Sequence, residues 1–228
     1  MQNKKHTGSY YTPDYLAEFI SKRVLSHFEG RQRISVLEPS VGDGSFIVEL
    51  AKSALAINIT AIDINEQELK SAKSKWKGNK STFLNSDFLQ FNTQKKYNAI
   101  IGNPPYVRKG FLKDEQIECA KRIHEEEGLS EITVKNIWTT FLIKSNKLLA
   151  SSGVLAFVLP SELLQVKFAE EIREYLKNQF QRIEIFTFND LMFECKGQDT
   201  IVLFAYKKHS KKGEFFTNIV NKNVLKDE

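Results

Sequence analysis

The sequence predicts an α/β domain: a mostly parallel, seven-stranded sheet with helices on both faces and the last strand inserted antiparallel. Three observations lead there. Short apolar runs alternate with stretches of helical periodicity from about residue 13 to residue 188. The runs at 182–188 and 200–206 follow each other with no helical stretch between them, which breaks the parallel alternation once. Polar or conformationally special residues stand directly after four of the runs: Glu38-Pro39, Asp63, Ser86-Asp87 and Asn103-Pro104. In open α/β sheets the carboxyl ends of the strands are where ligands bind.

Thr12 and Pro13 open the first helical run, residues 13–28, with Leu16, Phe19, Ile20, Val24 and Leu25 at helical spacing. Thr12 reads as the N-cap and Pro13 as the first helical residue. Tyr10 and Tyr11 lie just ahead and either staple that helix to the core or, for Tyr11, face a ligand. Residues 34–37 form an apolar strand, followed by the turn Ser40-Val41-Gly42-Asp43-Gly44-Ser45 and a helix over 46–55. A strand, a Gly-containing turn and a helix start make a pocket whose backbone N–H groups favour a carboxylate. The turn is neither GxGxxG nor GxxxxGK[ST], so a dinucleotide or triphosphate lacks its usual seat. Acidic Glu38 at the strand end suits instead a ligand with a cationic amino group beside its carboxylate.

The next strand, 57–64, carries Asp63, where doubly wound folds hold a ribose diol; the same residue also reads as an N-cap for the helix starting near Gln67. The lysines at 70, 73, 75, 77 and 80 read as a solvated face. After the strand 82–85, Asp87 can accept from an adenine amino group and Phe88 can pack on a ring, or the two serve as a cap and a core aromatic. From 107 to 135 the periodicity breaks down into a charged stretch expected to form a loop or short helices over the site mouth. Beyond it the pattern gives a helix at 136–149, a buried strand at 153–159, a helix at 162–177 and the last strand pair. Lys207, Lys208, Lys211 and Lys212 follow as the one basic cluster, a phosphate contact or a solvated tail.

The fourth strand, 98–101, runs into Asn103-Pro104-Pro105-Tyr106. Asn103 and Pro104 both precede a proline and are pushed to extended geometry, while Pro104 and Pro105 have φ held near −65°. An amide or aromatic amino group is a poor nucleophile because its lone pair is delocalised. The Asn103 side-chain oxygen and the Pro104 carbonyl are two fixed acceptors that could grip its N–H bonds and aim that lone pair, and Tyr106 offers a flat face. The same four residues also fit a tight turn after a strand.

Composition adds bounds. The 228 residues suit one good-sized domain. A formal charge of +5 is compatible with a polyanionic partner without demanding one. The two cysteines, Cys119 and Cys195, have no CxxC spacing and no histidines at ligand distance, which suggests neither disulfide nor metal and fits a reduced, cytoplasmic setting. No apolar run approaches the ~18 residues of a membrane span, and the first residues carry no apolar core of a signal peptide.

EPSVGDGSF, AIDIN, SDF and GNPPY, in that order and preceded by GSYYTP, resemble the S-adenosylmethionine-dependent adenine-N6 DNA methyltransferases of the gamma order from restriction-modification systems, over nearly the whole chain. The resemblance implies a Rossmann-like class I methyltransferase fold over residues 1–207, with residues 208–228 as a basic tail or linker. It implies that Tyr11, Thr12, Glu38, Pro39, Ser40, Val41, Gly42 and Gly44 line the methionine end of the cofactor. Asp63 and Ile64 would hold the ribose, Asp87 and Phe88 the adenine, and Pro105 would border the cofactor. Asn103 and Pro104 would take the two N–H bonds of a flipped adenine in double-stranded DNA, with Tyr106 on one face and Phe193 on the other. No metal is implied. Members of this order usually carry a target-recognition domain, so the chain is expected first to be part of a longer polypeptide, and otherwise to work with a specificity subunit or to be a compact enzyme with little specificity. Two other functions share these residues: methylation of an RNA base or a protein glutamine, and a non-catalytic DNA-binding subunit.

Overall fold

The computed structural model describes residues 11–78, 80–188 and 199–219. Its strands are β1 (Arg33–Glu38), β2 (Ala56–Asp63), β3 (Lys80–Asn85), β4 (Tyr97–Gly102), β5 (Leu149–Pro160), β6 (Arg182–Phe188), β7 (Thr200–Tyr206) and β8 (Gly213–Ile219). They form one sheet in the order β3-β2-β1-β4-β5-β7-β6-β8. β7 runs antiparallel between β5 and β6, and the other pairings are parallel. The expected α/β architecture with one inserted antiparallel strand is therefore present, with eight strands where seven were expected. The additional strand, β8, lies within the expected basic tail and pairs β6 from Arg182↔Gly213 to Phe188↔Ile219. Six of its seven residues are exposed, so it buries neither face and shows no period-2 alternation from which to be recognised.

Alternate side chains of the central strands enter different cores. Val154, Ala156 and Val158 of β5 face one cluster, which α1 (Asp14–Ser26), α2 (Ser45–Ala51) and α3 (Glu66–Lys75) cover with Leu16, Ile20, Ile47, Leu50 and Leu69. Leu155, Phe157 and Leu159 face the other, covered by α4 (Asp114–Glu125), α5 (Ile137–Leu148) and α7 (Glu170–Gln179) through Ile123, Trp138, Leu142, Ile172 and Leu176. Helix, sheet and helix thus form three layers with the strand tips open at one edge.

Local chemistry moves several helix ends from their expected places. Pro13 is the N-cap of α1, with ψ at 143°, and Asp14 is the first helical residue. Thr12 makes no cap bond and is buried instead. α2 stops at Ala51 because Ser53 Oγ accepts from the Leu55 N–H and turns the chain towards β2. The helix expected over 162–177 is interrupted at Val166, which is extended, giving α6 (Glu162–Gln165), a 3₁₀ turn and α7. Arg173 Nη1 donates to the carbonyls of Leu163 and Val166 and ties that break together. Within the stretch expected to be loop or short helices, α4 is a full twelve-residue helix whose buried side is Cys119, Ala120, Ile123 and His124.

Candidate active site at the strand tips

The order of strands reverses between β1 and β4, which leaves a crevice beyond their carboxyl ends. A cavity of about 490 Å³ opens there, within the range that holds a nucleoside-sized ligand. Its wall is built from the tips of β1 to β4, the residues before α1, and two later segments: Val107, Phe111, Leu112 and Gln116 from the charged stretch, and Ile137 and Phe141 from α5.

Glu38 ends β1 at 1% exposure, and neither carboxylate oxygen has a hydrogen-bond partner among the described residues. Burial pushes its carboxyl well above the ordinary 4.5, and the neighbouring carboxylates of Asp43 and Asp63 push further. A buried acid without a partner is costly unless a ligand supplies one. A partnerless carboxylate on the wall of a cavity fits a ligand ammonium. Val41, Ser40 and Pro39 continue the wall from Glu38, and Ser40 Oγ donates to the Asn103 carbonyl at 3.2 Å, which joins the β1 turn to the segment after β4.

Asp63 at the tip of β2 accepts from the Gly42 N–H at 2.8 Å with Oδ2 and from the Asn65 N–H at 2.8 Å with Oδ1. The N-cap of α3 is Asn65, whose side chain accepts from Gln67 and Glu68 N–H groups, so the capping alternative for Asp63 falls away. Burial raises the Asp63 carboxyl, and these backbone donors oppose the rise. Gly42 takes φ +50°, which brings its N–H onto Asp63. Ile64 also lines the cavity and is 66% exposed. Tyr11 lines it from the other side, its hydroxyl donating to Glu68 Oε1 at 2.8 Å.

Asp87 and Phe88 follow β3 and both reach the cavity. Phe88 is almost completely buried, its ring 4.9 Å from that of Phe141 and 5.2 Å from the Lys144 ammonium. Lys144 donates to the Leu89 carbonyl at 2.7 Å, and burial lowers its pKa to about 8. Asp87 accepts from the Leu89 N–H at 2.9 Å and from Gln116 Nε2 at 2.7 Å.

Asn103 and Pro105 line the cavity. Three expected site residues do not: Pro104 is buried, Tyr106 is 8% exposed and belongs to the apolar cluster with Val107 and Trp138, and Gly44 sits outside the wall. Gly44 takes φ +83° at the N-cap of α2, where an added Cβ would lie 3.0 Å from Ala72, so it serves the close packing of α2 on α3. Phe193 lies outside the described residues. Gln116 and Phe141 were not singled out in the sequence, one being a glutamine in a charged run and the other one of several apolar residues in a helical stripe. Among the described residues no group of three or more His, Cys, Asp or Glu could hold a metal ion, and no helix is long and apolar enough to cross a membrane.

A model of the Eco57I restriction-modification methylase family matches residues 41–193, which runs from the Glu38 turn past the NPPY segment. The chain belongs to the Eco57I family. This Eco57I-family member is 26% identical over 219 residues to the type II methyltransferase M.AccI of Acinetobacter calcoaceticus, covering 94% of the chain and 40% of that relative. The chain therefore spans about 40% of the length of the curated relatives it matches. Its fold matches that of a Listeria monocytogenes protein described as a candidate class I S-adenosylmethionine-dependent methyltransferase, with a TM-score of 0.78 and 15% identity over 94% of this chain and 67% of the other. It also superposes on the DrdV–DNA complex, with a TM-score of 0.75 and 14% identity over 99% of this chain and 30% of the other. S-adenosylmethionine is the cofactor to which fold and family point, and the partnerless Glu38 carboxylate beside the Asp63-bound turn is chemically suited to its ammonium and ribose.

Proposed function

We propose that the Eco57I-family member transfers a methyl group from S-adenosylmethionine to the N6 amino group of a flipped adenine in double-stranded DNA, as the modification activity of a restriction-modification system in the cytoplasm. The observation that carries this is the shared wall: Asn103 and Pro105 border the same cavity as Glu38, Asp63 and Asp87. The family, the relatives' names and the DNA-bound structural neighbour support DNA as the polymer.

In this reading Glu38 holds the cofactor ammonium, Asp63 the ribose, and Asp87 with Phe88 the adenine ring. The bound cofactor supplies an electrophilic methyl carbon on a sulfonium. Asn103 Oδ1 accepts one N–H bond of the target amine, and the Pro104 carbonyl, which does not line the cavity in this structure, would have to turn to it to take the other, so that the nitrogen lone pair points into the cavity. Ser40, by donating to the Asn103 carbonyl, keeps that segment in register with the β1 turn. The burial of Glu38 and the apolar lining by Phe46, Phe88 and Phe141 exclude water. Tyr106 would have to present its ring beside a flipped base, and Phe193 would take the opposite face. Target recognition would come from polypeptide beyond the residues described or from a specificity subunit.

A labelled-methyl assay with duplex DNA, RNA and protein tests the reading. Label in DNA at adenine is the expected result; label only in RNA or protein would overturn it. Asn103→Ala should lower turnover by roughly two to three orders of magnitude, as for loss of one preorganised partner in a transition state, with cofactor affinity nearly intact. An equal loss of cofactor binding would make Asn103 structural.

A further inference from the structure

Gln116 stands in the first turn of α4, in the stretch that neither a strand tip nor a recognised motif contributes to the site. Its side-chain amide is held at both ends. Oε1 accepts from the Lys113 N–H at 3.2 Å, and Nε2 donates to Asp87 Oδ2 at 2.7 Å. The two partners, a donor and a carboxylate, fix which end of the amide is which. On the other side, Asp87 Oδ1 accepts from the Leu89 N–H at 2.9 Å. The Asp87 carboxylate is thus pinned at each oxygen, one tether from its own strand end and one from α4. Two pinned oxygens still leave acceptor capacity, because an ionised carboxylate accepts about four hydrogen bonds.

We infer that Gln116 is a positioning residue that makes the cavity selective for a nucleoside carrying an exocyclic amine. This rests on the proposal that Asp87 faces the cofactor's adenine. A 6-amino purine presents N–H at its 6-position; a 6-oxo purine presents an acceptor there and moves its proton to N1. A carboxylate free to swing could follow that proton and accept it. A carboxylate pinned between Leu89 and Gln116 cannot, so it faces the oxo group acceptor to acceptor and rejects it. Sites whose polar groups are fixed discriminate against a ligand lacking the matching group far more strongly than apolar pockets do.

The geometry offers a variant that separates this role from helix capping. Gln116→Glu keeps an oxygen for the Lys113 N–H while removing the donor to Asp87 and adding charge against it. Gln116→Met removes both at similar volume. Calorimetry on the chain with S-adenosylhomocysteine and S-inosylhomocysteine reads the ratio of the two affinities. The wild-type chain should prefer the adenosyl compound strongly, and both variants should lower that ratio by about tenfold, the size expected for one charge-assisted hydrogen bond. A ratio unchanged in both variants, with the wild type binding normally, would reduce Gln116 to a helix cap and overturn the inference. Failure of the wild type to bind S-adenosylhomocysteine would instead remove the cofactor assignment itself, and the inference with it.

Discussion

At the scale of single residues, Glu38 has the most direct consequence. Its carboxyl is raised well above 4.5 in the folded chain, so the unfolded chain releases that proton first as pH rises. Below 4.5 both states hold the proton and burial costs little; above it, stability falls progressively until the folded group also ionises. Glu38→Gln should therefore raise the melting temperature of the ligand-free protein near neutral pH while weakening S-adenosylmethionine by at least about tenfold. Wild-type binding should release a fraction of a proton, visible as a buffer-dependent calorimetric enthalpy; the same release from the Glu38→Gln protein would assign it to another group. Asp63→Ala should weaken the cofactor by about 1–3 kcal/mol, partly because the Gly42 and Asn65 N–H groups lose their common acceptor; unchanged affinity would leave Asp63 as a tie between two loops only. The placement of Glu38, Asp63, Asp87 and Asn103 on the cavity wall was legible in the sequence because each ends or follows an apolar run, and a strand's end is a fixed place in this fold. Tyr106 was legible as an aromatic but not as a buried one, since its depth depends on Trp138 and Val107 from later chain.

At the scale of elements, the strands declared themselves and α4 did not. Its buried side is only Cys119, Ala120, Ile123 and His124, too small and too mixed to stand out in a charged run. What fixes it is specific: His124 is fully buried, with Nδ1 2.6 Å from Thr133 Oγ1 and Nε2 3.0 Å from Thr140 Oγ1, which ties α4 to the following turn and to α5. Burial lowers the imidazole pKa from 6.5 to about 4. The unfolded chain takes up a proton at 6.5 that the folded one resists, so stability is complete above 6.5 and is lost as pH falls towards 4, by on the order of 3 kcal/mol. Hydrogen exchange across α4 should accelerate selectively over that interval, and His124→Gln should flatten the effect. Uniform acceleration over the whole chain would point to global rather than local opening. β8 was illegible for a different reason: its register is set by β6, not by any apolar face of its own, and its aromatic contact is the Arg182 guanidinium 3.7 Å from the Phe215 ring centroid.

At the scale of the whole molecule, one polar junction joins the helical layer to the sheet. Glu184 of β6, 4% exposed, accepts from Arg23 Nε of α1 at 2.8 Å and from Arg182, while the Arg23 guanidinium lies 5.1 Å from the Phe186 ring. Glu184→Ala should cost roughly 2 kcal/mol, as expected for losing charge-assisted bonds in a half-buried pair, and a thermal or urea transition reads it; an unchanged midpoint would show that the aromatic packing alone carries the junction. The direction of β8 bears on what lies further along the relatives. Because it runs parallel to β6, and hence with β1 to β4, it carries the chain back to the rim where the cavity opens. Four strand spacings separate it from β4, roughly 19 Å. About six extended residues would bridge that gap, so the end of β8 at Ile219 lies on the same rim as the cavity, within a short tether of it.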